Sequence, residues 1–162
     1  MGNSIETNRL MDKRLKGRNI EDWIAKHPLT AMLKTHLKNG LIEVDGKVFL
    51  AKFYKKRGGS NEDATGAEMW VNGFHIDLYV PKEKVIPDYS LQQGLTFAFS
   101  LKDLLINQFP GTAFKIIVST DEGEDAFPEV CTVGFHKVRS NEVWLLGNLE
   151  GYKMNGLLVI TT

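Results

Sequence analysis

The stretch FKIIVSTDEGEDAFPEVCTVGFHKV, residues 114–138, decides how the rest of the chain is read. Its two apolar runs, FKIIV and VCTVGF, are short and rich in β-branched residues. They are bounded by polar residues, the pattern of strands placed in a core. Between them lie five carboxylates in nine positions: Asp121, Glu122, Glu124, Asp125 and Glu129, with Phe127 and Pro128 interrupting the charge. Two core strands joined by a strongly acidic connection frame both the fold and the function.

Working outward, the C-terminal segments EVWLLGN and GLLVITT read as further strands, separated by RSNE and LEGYKMN. Upstream, residues 90–109 read as mostly helical. Ser90 with Gln93, and Ser100 with Asp103, form candidate N-terminal capping pairs, and Pro110-Gly111 ends the run. Asp45-Gly46 sits between LIEV and KVFLAKFYK, and Asn72-Gly73 between MWV and FHIDLYV; each pair is a hairpin signal. In FHIDLYV, Phe74, Ile76, Leu78 and Val80 would share one face, with His75, Asp77 and Tyr79 opposite. Asn19 is a helix cap, so short helices are expected at 20–26 and 29–39, the second closed by Asn39-Gly40. The expected fold is α+β: mostly antiparallel sheet, six to eight strands in hairpins, with two short N-terminal helices and one central helix. Residues 1–18, polar and cationic, read as a flexible basic arm ahead of a single domain at 19–162.

Composition narrows the class. A single cysteine, Cys131, cannot form an internal disulfide, and the N-terminus lacks an apolar signal core, so a reducing cytoplasm is the expected compartment. No apolar run approaches the ~20 residues of a membrane span. Net charge is zero, yet residues 1–60 carry thirteen Lys/Arg against six Asp/Glu, and the remainder carries seven against fourteen. Such asymmetry marks a polyanion-binding arm, an acidic partner-facing surface, or two halves that attract each other.

Chemical motifs are sparse. GGSNEDATG lacks the GxxxxGK[ST] spacing of a phosphate loop and reads as a surface loop. His75 and Asp77, two apart on a predicted strand, could serve a small hydrolase or metal-dependent enzyme, but no third ligand accompanies them. Cys131 and His136, five apart, would point to opposite faces, which opposes a thiol nucleophile. KFYKKRGG, residues 52–59, sets Lys55, Lys56 and Arg57 beside Phe53 and Tyr54, a composition suited to single-stranded nucleic acid. Zero net charge argues against a dedicated nucleic-acid binder. The acidic connection lacks the D-x-[DN]-x-[DN]-G pattern of a calcium loop. No cofactor is expected. The reading that uses the strongest feature is a small cytoplasmic protein-binding protein, not an enzyme. In its specific form it is a bacterial immunity or antitoxin protein that covers the basic active site of a toxin, such as a nuclease. Asp121, Glu122, Glu124, Asp125, Phe127 and Glu129 would meet that partner.

Overall fold

The computed structural model describes residues 3–57, 63–83, 86–121 and 129–162. Seven strands form two antiparallel sheets. The larger has the order β1-β7-β5-β6-β4, built from β1 (Ser4–Thr7), β4 (Phe74–His75), β5 (Phe114–Thr120), β6 (Cys131–Lys137) and β7 (Gly156–Thr161). The smaller is the hairpin of β2 (Leu41–Val44) and β3 (Lys47–Leu50), turned at Asp45-Gly46 with both residues at positive φ. The α+β class and its antiparallel sheet are as the sequence indicates, with six α-helices among the described residues where three were expected.

The central helix α6 (Tyr89–Gln108) is one unbroken span. Its Leu91, Leu95, Ala98, Leu101 and Leu105 are buried at helical spacing against the face of the large sheet that carries Ile116, Val118, Cys131, Val133 and Phe135. Gly94 makes this close approach possible, because a Cβ there would lie 2.6 Å from Cys131 Sγ. Ser90 and Ser100 cap nothing: the helix starts after Asp88, and Gln93 is buried inside it. Gln92 and Gln93 instead donate to His27 O and Pro28 O, and Gln93 Oε1 accepts from Thr30 N–H. They tie the turn between α2 (Ile20–Lys26) and α3 (Ala31–Lys38) to the core helix.

Four expectations are corrected. The supposed arm is part of the fold: Ser4–Thr7 pairs with Leu158–Thr161, and α1 (Arg9–Leu15) follows with Met11 buried. Asn8 holds this junction, accepting from Met11 N–H and Leu157 N–H and donating to Asn155 O. The second hairpin strand stops at Leu50, and Ala51–Arg57 forms α4 with Phe53 buried. The Asn72-Gly73 hairpin is absent; Ala64–Asn72 is helix α5, capped by Asp63, and only two strand residues follow before a 3-10 turn at Ile76–Tyr79. Alternation fails there, since Leu78 is 70% exposed while Ile76 is buried. EVWLLGN forms no strand; residues 138–155 instead cross the second face of the sheet, where Leu145, Leu149 and Tyr152 pack on Ile117, Leu157 and Val159.

Helix α5 joins the two sheets through buried polar side chains. Glu68 is fully buried, and its carboxylate accepts from Val48 N–H (2.8 Å), Lys137 N–H (2.9 Å) and both terminal nitrogens of Arg139 (2.7 and 3.0 Å). One turn later Asn72 accepts from Leu50 N–H and donates to Val48 O and Phe135 O. These two residues supply β3 and β6 with the partners that a direct ladder would provide. Glu68→Ala would take the carboxylate from partly buried Arg139 and leave two amides without acceptors, and is expected to cost about 3–5 kcal/mol. Exposed Glu43→Ala should stay within about 0.5 kcal/mol. Denaturant unfolding of both variants measures the difference.

His36 is fully buried in a box of Phe53, Phe74 and Tyr79, with ring centroids 4.8, 5.4 and 4.4 Å away. Lys52 Nζ approaches its Nδ1 at 3.2 Å, which leaves Nε2–H facing aromatic rings. Burial, followed by the charges of Lys52 and Lys56, lowers its pKa from 6.5 to about 4. An unfolded His36 takes a proton near pH 6.5 and the folded one does not until about pH 4. Stability is therefore full above pH 6.5 and falls across that window. His36→Phe should remove about 2–3 kcal/mol of the loss between pH 7 and 4.5. Urea midpoints at the two pH values test this; equal losses in both proteins would contradict it.

Candidate partner-binding surface

The acidic connection leaves β5 after Thr120 and rejoins β6 at Cys131, and its base is closed by direct bonds. Asp121 N–H donates to Val130 O at 3.2 Å, and Asp121 Oδ1 accepts from Val130 N–H at 3.0 Å. Glu129 accepts from the Arg14 guanidinium and from Thr120 Oγ1. Arg14, on α1, also donates to Asp121 O at 3.0 Å and to Asp88 Oδ1 at 2.9 Å. Arg18 holds the other Asp88 oxygen at 2.7 Å.

The cationic N-terminal segment and the acidic remainder thus meet at the loop base. Within this cluster the groups titrate differently. Burial pushes Glu129 upward despite Arg14, whereas at Asp88 the hydrogen bonds from Arg18 and Arg14 outweigh burial and pull its pKa down. Burial works against the charge of Arg14, but Glu129 and Asp88 together raise its pKa. Of the six residues expected to meet a partner, Asp121 and Glu129 therefore build the base. Glu122, Glu124, Asp125 and Phe127 lie outside the described residues.

A cleft of about 400 Å³ opens beside this base, lined by Asp77, Val80, Asp88, Tyr89, Ser90 and Glu129 among others. The carboxylates come from three separate connections that converge at one end of the sheet. Asp77 Oδ1 accepts Cys131 N–H at 3.2 Å, so it secures the first residue of β6. His75 Nδ1 stands 3.7 Å from the same oxygen, beyond hydrogen-bond length, and its side chain is half exposed. The geometry of a base held by a carboxylate is not formed. Among the described residues no group of three His, Cys, Asp or Glu is placed to share a metal ion.

Cys131 is fully buried under α6, and burial, then the charges of Glu129 and Asp77, raises its thiol pKa well above the usual range. His136 lies on the opposite face of β6, its Nδ1 2.9 Å from Lys137 O, and burial lowers its pKa. The aromatic residues once paired with the basic run are turned inward: Phe53 is buried, and Tyr54 stacks on Phe49 at 4.9 Å. Arg57 rests on Phe53 and donates to Trp70 O, Val71 O and Gly73 O at the end of α5. Lys55 and Lys56 remain exposed.

The apolar side chains that do face outward are ones the sequence pattern hides. Trp70 on α5 is 61% exposed, and Trp144 in the 138–155 crossing is 45% exposed, with Val143 and Leu146 beside it in sequence. Trp144 occurs where a strand was expected, so its exposure follows only from the missing strand. No described helix is long and apolar enough to cross a membrane.

No curated protein and no solved structure matches the chain. A family model does match, across residues 6–162, from the edge strand through the loop base to the last strand. The chain belongs to the family described as the Uncharacterized protein PM0498 family.

Proposed function

We propose that this is a protein-binding protein whose acidic connection receives a basic partner, and that the partner is a toxin domain neutralised in the manner of an immunity protein. The carrying observation is the division of labour within the connection. Asp121 and Glu129, its first and last carboxylates, meet the structural needs of the base through Val130, Thr120 and Arg14. Glu122, Glu124 and Asp125 add three more charges between those fixed points. Concentrated like charge costs stability, so its use lies outside the fold. A loop of this sign speeds encounter with a cationic surface and can occupy a site built for phosphates. A nuclease toxin presents such a site. Nothing in this reading requires catalysis by the chain itself.

The test separates steering from folding. Glu122→Gln, Glu124→Gln and Asp125→Asn together should slow association with the basic protein that co-purifies from the native host by about tenfold. The triple variant should flatten the salt dependence of association and leave dissociation and melting temperature nearly unchanged. Glu129→Gln should instead lower stability by about 1–3 kcal/mol, because it weakens the half-buried contact with Arg14. Stopped-flow binding at two salt concentrations reads the first effect. Unchanged association in the triple variant would remove the support for an acidic docking loop.

A further inference from the structure

The second face of the large sheet carries two joined cavities. One, of about 350 Å³, is lined by Ile117, Val133 and Leu157 from the sheet and by Trp144 and Tyr152 from the 138–155 crossing. The other, of about 510 Å³, shares Met69, Gly73 and Trp144 with it and reaches Trp70 and Arg57. The lining pair Trp144-Leu145 is flanked by Val143 and Leu146, which are 81% and 58% exposed, and Trp70 is 61% exposed. An apolar hollow and projecting apolar side chains thus occupy one surface. Trp70, Val143, Trp144 and Leu146 together expose on the order of 400 Å², a size at which a patch on a monomer is often an interaction site.

Charge and shape select the occupant. Arg57 is the one Lys, Arg, Asp or Glu among the described lining residues, and its guanidinium already donates to Trp70 O, Val71 O and Gly73 O. Beside Val143, Glu142 accepts from Thr65 N–H at 2.7 Å, and Arg139 is paired with Glu68. Ser119, Thr132 and Asn155 add uncharged polar groups. Such a surface offers no complement to a strongly basic or acidic segment, and a nucleic acid would find a single guanidinium for its phosphates. It complements an apolar, near-neutral surface, and the chain itself presents one. A two-fold contact needs projection and hollow on the same face, and this face has both. With a formal net charge of zero, no long-range repulsion opposes two copies. We infer that this face joins two copies of the chain in a two-fold dimer, with Val143 and Leu146 of each copy seated in the groove of the other. The exposed side chains supply about half of the ~800 Å² that each partner gives to a standard interface, and the groove walls add to it, so the dimer is reversible and not obligate. This contact is separate from the basic-partner reading, and either can hold without the other.

Sedimentation equilibrium of the full chain between about 5 and 200 μM reads the association, and a monomer–dimer transition is expected within that range. Val143→Glu and Leu146→Glu change side chains that already stand in solvent, so each should fold as the parent does and weaken the dimer at least tenfold. Met32, 51% exposed on α3 at the α6 side of the sheet, is the control, and Met32→Glu should leave the dimer unchanged. The chain has three tryptophans, and Trp23 lies elsewhere, beneath the Arg18 guanidinium at 4.2 Å. On dilution through the transition the indole N–H signals of Trp70 and Trp144 should therefore shift while that of Trp23 stays. A chain that is monomeric up to 200 μM overturns the inference. So does a dimer that both glutamate variants leave intact, or one whose dissociation moves neither Trp70 nor Trp144. A monomeric chain whose Trp70 and Trp144 signals move instead with oligo(dT), or with the protein that co-purifies from the native host, would assign the groove to that partner and equally overturn it.

Discussion

A buried carboxylate, Glu68, is the point on which the two sheets depend. Strands β3 and β6 approach each other with α5 against both, and their facing amides have no ladder partner. In a dry interior an amide left without an acceptor costs about 1–3 kcal/mol. Glu68 supplies acceptors to Val48 and Lys137 while Arg139 balances its charge, and Asn72 completes the set one turn later. The ion pair is therefore more than an electrostatic contact. Replacing it with apolar side chains would relieve charge desolvation but would leave the two amides without acceptors.

From this join the outer surface follows. With Glu68 and Asn72 fixed inward, Met69 falls against Gly134 and Trp70 is directed outward. Arg57 is drawn across the carbonyls at the end of α5, which anchors α4 as well. The large sheet thereby acquires two unlike faces. One is sealed by α6 and its leucines; across the other, among the described residues, lie α5 and the 138–155 segment. At the end of both faces, Arg14 and Arg18 reach from the N-terminal segment to Asp88 and Glu129 and hold the acidic connection at its root.

Legibility in the sequence tracked how far each element obeys a simple hydrophobic period. Strands β5, β6 and β7 are read directly from FKIIV, VCTVGF and GLLVI, and α2 from its Asn19 cap. Helix α5 escaped because its inward face carries Glu68 and Asn72, which look like surface residues, and because Asn72-Gly73 imitates a hairpin turn. Helix α4 escaped because a seven-residue run gives too few turns to distinguish the two periods. The N-terminal arm looked solvated because its arginines find their partners 70 to 115 residues away. The same distance hid the roles of Asp121 and Glu129, although the connection itself stood out by charge. Trp70 and Trp144 gave no periodic signal: Trp70 sits on the outward face of α5, and Trp144 lies in the crossing that replaces an expected strand.

Amide hydrogen exchange tests most directly whether polar side chains on α5 make the two sheets one cooperative unit. The amides of Val48, Leu50 and Lys137 are the ones that Glu68 and Asn72 hold. If the join governs the fold, they exchange only through global unfolding, with the same free energy as the central β5 amides of Ile116 and Val118. Exchange of Val48 and Leu50 through a lower-energy opening, while β5 stays protected, would mean that the hairpin is a separate unit resting on the sheet, and would contradict the account.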